Sequence, residues 1–414
     1  MPATLATRTT APDLAPQIAD MRDPLFLTDP RRLYQRLREQ GRVHRDSVGL
    51  WLLLGHADCR AAMQSSHLSR DPRNWKHYAT VRPYMAESAL EKTVERFMIF
   101  NDAPFHTRLR TLMSAAFTPA ATRALTVAID AASNALLDRL PASEPFDFMR
   151  QFAQILPVRV ISDMLGIESG DLDQTKAWSE AISMVVEPVA ARGLREHSNR
   201  ATIEMTGYLR AELARRRAHP SDTLLDVLIE GQRDDPSLSD DDLLANLMLL
   251  FLAGHETTTN LLGNGLLALL RHPEQMQMLR LDPSLLPLAI EEMLRFESPA
   301  NVVARVTREP WRIGELEIPA GELLYCMTGA ANHDPEVFAR PEVFDIRRSP
   351  NPHLSFGGGV HYCIGAPLAR LEAQVAFGAL LRRFESLSLA DEAVCWRPLV
   401  NLRGLQALTV KGGG

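Results

Sequence analysis

The sequence predicts a mainly α protein, a large multi-helical body with minor β-sheets. Three observations carry that prediction. Apolar residues recur at helical spacing over much of the chain, and one such stretch, 239–275, is long enough for a central helix. Alternating apolar positions with Gly turns, which mark short strands, are confined to 42–55, to 302–344 and to 395–410. Neither an internal repeat nor a Gly/Ser-rich linker divides the 414 residues. One continuous domain is therefore expected over 23–414, behind a mobile tail at 1–22.

The elements follow in chain order. PRRLYQRLREQG (30–41) spaces Leu33 and Leu37 one turn apart and ends in glycine, as a helix does. RVHRDSVGLWLLLG (42–55) predicts a hairpin with Gly49 near its turn. Residues 116–140 and 151–167 predict helices. The long helix opens on Asp240–Asp242, three carboxylates that suit the positive end of its macrodipole. Residues 283–299 predict a further helix ended near Pro299. Strands and turns follow, then HLSFGGGVHYCIGAPLARLE (353–372), a helix after it, and a strand-rich tail at 395–410.

Composition excludes several classes. A net charge of -6 gives no footing for nucleic acid. None of the four cysteines forms a CxxC pair, so a structural zinc site is not expected. Few cysteines and the lack of an apolar signal-like core at the N-terminus point to the cytoplasm. The most apolar run, LLANLMLLFLAG (243–254), is interrupted by Asn246 and too short to span a bilayer.

Four motifs carry chemistry. AGHETT (253–258) places Gly254 in mid-helix before three threonines. Glycine is a poor helix former and threonine hydroxyls compete for backbone carbonyls, so a local distortion with room for water is expected there. The plain alternative is a helix-packing glycine. Glu256 and Thr257 add an ionisable group and a hydroxyl. EEMLR (291–295) sets Glu292 and Arg295 on one helix face. Alone that is a surface ion pair, but Arg348 could make it a buried network. HTRLR (106–110) puts His106 and Arg110 four apart, either an anion clamp or a solvated face. The glycines of 357–359 could cradle phosphate, yet the lysine and hydroxyl of a P-loop are missing. His361 is a poor base for a nucleophilic Cys363, because alternate residues of extended chain point apart. The remaining reading is a thiolate near a helix N-terminus ligating a metal whose other positions are filled, of which haem iron is the obvious case.

FGGGVHYCIG (356–365) resembles the haem-binding loop of the cytochrome P450 family, and AGHETT, EEMLR and HTRLR resemble three further motifs of that family in the right order. The resemblance covers about Asp23 to Val410 and is closest to the soluble bacterial type. It implies a single multi-helical haem-thiolate fold, haem b (iron protoporphyrin IX) and an O2-dependent monooxygenase acting on a lipophilic small molecule by hydroxylation or epoxidation. A place in secondary metabolism is compatible with it. Cys363 becomes the axial thiolate, Phe356 its neighbour, and Gly357 and Gly365 the residues that let the loop approach. His106, Arg110, Arg305, His353 and His361 become propionate partners. Glu292, Arg295 and Arg348 become the network behind the loop. Thr257 and Glu256 become the proton-moving pair. Leu250, Ala253, Val302, Val303 and Leu402 become substrate contacts, with Glu187 a possible polar handle. Electrons are expected from a ferredoxin and its NAD(P)H-dependent reductase, docking near Arg108, and a monomer is expected. A peroxide-driven hydroxylase and a non-catalytic haem-thiolate ligand-binding protein are the competing readings; both types tend to lose the acid–alcohol pair kept here.

Overall fold

The computed structural model describes residues 24–413 except 48, 81–87, 115–116, 168–171, 188–191 and 222. The tail expected at 1–22 lies outside the described residues. At the centre runs a helix of 32 residues, Asp240–Arg271. Its start is a capping box: the Ser239 hydroxyl accepts from the Asp242 N–H at 3.2 Å, and the Asp242 carboxylate accepts from the Ser239 N–H at 2.9 Å. Every residue from Asp242 to Leu252 is buried, as an apolar surface on all sides requires. The helix packs against Leu156–Leu165, Leu172–Ser183, Leu286–Phe296 and Ala366–Arg383.

Among the described residues, ten short strands flank this helical mass. They are β1 (Val43–Arg45), β2 (Trp51–Leu53), β3 (Leu68–Ser69), β4 (Pro145–Asp147), β5 (Val302–Thr307), β6 (Trp311–Ile313), β7 (Leu316–Ile318), β8 (Leu323–Met327), β9 (Ser386–Leu389) and β10 (Thr409–Gly413). The main sheet has the order β1-β2-β8-β5-β3. Its β1–β2 hairpin pairs Val43 with Leu53, as the sequence predicts, and β5 runs antiparallel to β8 with Val302 opposite Met327. A second sheet is β4-β10-β9, and β6 and β7 make a separate hairpin. One large apolar cluster lies under the helices, and a smaller one around Leu53, Cys59, Leu324 and Cys326 backs the main sheet.

Three expectations need correction. The helix predicted over 116–140 is two, Pro119–Ala124 and Thr126–Leu137, joined at Leu125. The tail at 395–410 is mostly not strand: outside β10 it makes only the isolated bridges Trp396–Leu405 and Ala300–Leu402 among the described residues. Its backbone is satisfied by a side chain instead, since the N–H groups of Val400, Asn401 and Leu402 all donate to the Glu187 carboxylate at 2.7–3.1 Å. No break in the central helix accompanies Gly254. A Cβ there would lie 2.1 Å from Ile161 Cδ1, so the residue is glycine because two helices approach closely. The Thr257 hydroxyl does bond back to the Ala253 carbonyl, at 2.5 Å, within intact helix.

In the helix Ala366–Arg383, Glu372 is buried and its Oε1 has no partner among the described residues. Burial pushes its carboxyl up to about 8. The folded chain then holds a proton that the unfolded chain releases at about 4.3. Stability from this group is present below that value and lost as pH rises through about 8. Thermal unfolding across this window should therefore show a falling Tm in the parent and a flatter profile in Glu372→Gln; parallel profiles would refute the assignment.

Candidate active site

The cysteine loop is shaped by its own backbone. The Gly357 N–H donates to the Leu354 carbonyl and the Cys363 N–H to the Phe356 carbonyl, each at 2.9 Å. Gly357 and Gly359 sit at φ 70° and 67°, where only glycine is unstrained. A Cβ on Gly359 would also fall 2.4 Å from the Met63 carbonyl oxygen, so the loop is pressed against the helix His56–Gln64. Gly365 is the N-cap of Ala366–Arg383, which places Cys363 just before a helix N-terminus. Burial pushes the thiol up, while the Gly365 and Ala366 N–H groups and the charges of Arg110 and Arg370 favour the thiolate.

Behind the loop lies a fully buried ion pair. Arg295 donates to Glu292 from Nε at 2.8 Å and Nη2 at 2.7 Å, a bidentate contact. Its remaining donors reach the carbonyls of Asn332, Pro341 and Val343. Arg348 adds Nε contacts to both Glu292 oxygens at 3.2 and 3.1 Å, and Asn351 Nδ2 donates to one of them. Arg295, Glu292 and Arg348 thus form the network expected from the sequence spacing. Asn332 carries it to the loop, accepting from the Leu354 N–H at 2.7 Å and donating to the Ser355 hydroxyl at 2.9 Å.

His353 belongs here and not with the propionate set to which the sequence assigns it. Its Nε2 meets the Glu291 carboxylate at 3.0 Å and its Nδ1 accepts from the Ser355 N–H, so both ring nitrogens are engaged. Arg370 also grips Glu291, at 2.6 and 2.8 Å, and covers the Phe356 ring at 4.4 Å. Burial raises the Glu291 carboxyl, but Arg370 and His353 overcome it and hold it at about 2. Phe356 is therefore held by tilted ring contacts with His353 and Tyr362 and by the Arg370 guanidinium over its face.

The other propionate candidates do converge. The rings of His106 and His361 lie 4.0 Å apart between centroids. Burial lowers His361 to about 2, helped by the charges of Arg70, His106, Arg305 and Arg110. Burial and Arg110 lower His106 as well. Arg305 is buried, with Nη1 on the Ala304 carbonyl and Nη2 on the Met63 carbonyl. Neutral imidazoles and guanidiniums therefore face one another without a carboxylate hydrogen-bonded among them, in the described residues. Such a cluster fits a ligand that brings two carboxylates.

On the central helix, Ala253 is exposed and Gly254 and Thr257 are half-buried although Leu252, His255, Glu256 and Thr258 are buried, so open space borders this face. Glu256 is buried and accepts from Arg397 Nη1 at 2.5 Å. Arg397 was not legible as a site residue, since it lies 141 positions away in the irregular tail. A cavity of about 770 Å³ is lined by Trp75, Tyr78, Leu90, Val94, Val302 and Arg305 among others. Leu250, Ala253 and Leu402 are not among its walls. Val303 points to the opposite face of β5 and packs in the smaller apolar cluster, as strand alternation dictates. Glu187 is spent on the three N–H groups of the tail and is no free handle. Arg108 donates to the Ser237 hydroxyl at 2.9 Å.

A thiol just before a helix N-terminus, beside a cationic cluster that has no carboxylate hydrogen-bonded within it among the described residues, suits an iron porphyrin, and the comparisons agree. The cytochrome P450 family profile matches residues 73–282 and 283–397. The chain belongs to the cytochrome P450 family. This P450 is 39% identical over 400 residues to cytochrome P450 107B1 of Saccharopolyspora erythraea, covering 94% of this chain and 97% of that one. It is 36% identical over 408 residues to 6-deoxyerythronolide B hydroxylase of the same organism, covering 96% and 99%. Among solved structures, P450BioI in complex with a hexadec-9Z-enoic acid-ligated acyl carrier protein superposes with a TM-score of 0.88 at 35% identity, covering 94% of this chain and 100% of that one. Like its family, this P450 is a haem b monooxygenase that hydroxylates lipophilic molecules. No single helix among the described residues is long and apolar enough to cross a membrane.

Glu292→Ala leaves Arg295 buried without its counter-charge, at a cost of about 3–5 kcal/mol. Urea unfolding should register that loss, and the purified variant should carry little haem. Parent-like stability and haem content would show that the network does not hold the loop.

Proposed function

We propose that this P450 inserts one atom of O2 into a lipophilic product of secondary metabolism in the cytoplasm, drawing electrons from a ferredoxin and its reductase. The observation that carries the reading is Cys363, a thiol held by a glycine-shaped loop under two backbone N–H groups. Cys363 would hold the haem iron through its thiolate, and the bound haem would supply reductive O2 activation at an iron made electron-rich by that sulfur. Arg110 and Arg305 would neutralise its propionates, and His106 and His361 would donate hydrogen bonds to them. Retention of Glu256 and Thr257 supports the O2-dependent reaction over a peroxide-driven one.

These two residues divide the proton work. The Thr257 hydroxyl rests on the Ala253 carbonyl and can turn from it to donate into the open space on that face. Glu256 rests on Arg397, whose side chain is a quarter exposed and so reaches from the interior towards solvent. For Glu256 to pass a proton inward its carboxylate must leave Arg397. Substrate breadth follows from the cavity, whose walls are mostly apolar and which is large enough for a polycyclic or long-chain molecule. The likeness to 6-deoxyerythronolide B hydroxylase supports such a substrate.

Cys363→Ala should abolish the red-shifted Soret band of the reduced carbon monoxide complex, and a surviving band would remove Cys363 as the ligand. Thr257→Ala should retain substrate binding but divert NADPH consumption from product to peroxide. Full coupling in that variant would remove Thr257 from proton delivery. Arg397→Ala frees the Glu256 carboxylate, so it should change the solvent isotope effect on turnover without changing substrate affinity; an unchanged isotope effect would leave Arg397 a purely structural partner.

A further inference from the structure

Two cysteines, Cys59 and Cys326, take no part in the site or in the reaction described above, and the fold sets them side by side. Cys59 lies on the helix His56–Gln64 and Cys326 on β8. Both are free thiols with 0% exposure, in the small apolar cluster behind the main sheet. The Cys59 thiol donates to the Leu53 carbonyl at 3.2 Å, and Leu53 is the direct partner of Cys326 where β2 pairs with β8. The Cys59 sulfur also meets the Met327 N–H and is in hydrogen-bonding contact with the Cys326 sulfur. Strand alternation keeps both off the cavity: Leu323 and Tyr325 line it, while Leu324 and Cys326 turn to the cluster behind.

The surroundings make the two sulfurs unequal. Burial pushes the Cys59 thiol up. The hydrogen bond from Cys59 lowers Cys326 against the effect of burial, and the charges of Arg305 and Arg70 lower it further. Cys326 is thus the better nucleophile, and Cys59 is the thiol placed to meet it.

We propose that Cys59 and Cys326 are a modification site for peroxide, closing to a disulfide that staples the helix His56–Gln64 to β8. The Cys326 thiolate attacks one peroxide oxygen, the O–O bond breaks, and the other oxygen leaves as water with the proton Cys326 has lost. The sulfenic acid so formed is attacked by the Cys59 sulfur; the S–S bond forms, and the S–O oxygen leaves as water with the Cys59 proton. Two thiols and one hydrogen peroxide become one disulfide and two waters, the sulfurs giving up the two electrons that the peroxide takes. Because neither sulfur is exposed, the reaction waits on local opening of this cluster. The same helix carries Met63, whose carbonyl takes Arg305 Nη2 at 3.2 Å and abuts Gly359. The bridge therefore fixes the surface on which the cysteine loop rests.

Holoprotein carrying Cys395→Ser, which removes the exposed thiol, would be treated in the folded state with hydrogen peroxide. It would then be blocked with N-ethylmaleimide in guanidinium, digested and mapped by mass. The expected product is a linked pair of peptides holding Cys59 and Cys326, lighter by the two thiol hydrogens, from which dithiothreitol restores both thiols. With Cys59→Ala, dimedone should capture Cys326 as its sulfenic acid. With Cys326→Ala, Cys59 should give no adduct under the same exposure. An adduct on Cys59 alone would overturn Cys326 as the nucleophile. Linkage of either residue to Cys363 would overturn the pairing. If both thiols remain open to N-ethylmaleimide after a treatment that oxidises Cys395 in the parent, they are packing residues only and the proposal falls.

Discussion

Two opposite charges buried without any exposure, Glu292 and Arg295, fix the backbone on which the cysteine stands. Neither can leave the pair cheaply, because an ion stranded in the interior loses its solvation with nothing in return. Their spare hydrogen-bonding capacity is therefore used up on the chain from Asn332 to Asn351, and Asn332 passes the constraint to Leu354 and Ser355. The next residues are the glycine loop. A rigid anchor on one side and the Met63 carbonyl on the other leave that loop one conformation. A thiolate held in this way meets a metal without having to be ordered at the moment of binding.

Electrostatics divides the molecule around that loop. Behind it the charges are matched, Glu292 with Arg295 and Arg348, Glu291 with Arg370 and His353. In front of it Arg70, Arg110 and Arg305 gather with two imidazoles whose pKa burial lowers, while Asp102 beside them is ion-paired with Arg308. Matched charge builds a scaffold and unmatched charge awaits a ligand. The same logic separates Glu187 from a substrate handle: three N–H groups already satisfy it, and its work is to tie the irregular tail to the end of Met184–Val186.

Some of this was legible in the sequence and some was not. The central helix, the β1–β2 hairpin, the helix after Gly365 and the Glu292–Arg295 pair depend on spacing along one element or on a short reach, and spacing is what a sequence displays. His353 was misplaced because a histidine two residues from a serine gives no sign that Glu291, 62 residues earlier, will take its ring. Val303 was counted with Val302 although alternation in a strand sends neighbours to opposite faces. Gly254 was left between a distortion and helix packing, and packing holds because its partner, Ile161, belongs to another helix. Arg397 and Arg70 carried no motif at all.

By itself the sequence determined the family: a lone thiol behind glycines, an acid–alcohol pair in an apolar helix and a Glu-x-x-Arg helix carry the resemblance to the cytochrome P450s. These are local patterns, imposed by ligand geometry and helical period. Only the tertiary structure decided which charges are paired and which are left over. Pairing is settled by groups far apart in the chain, brought together when the core closes, so Arg397 falls to Glu256 and Arg370 to Glu291.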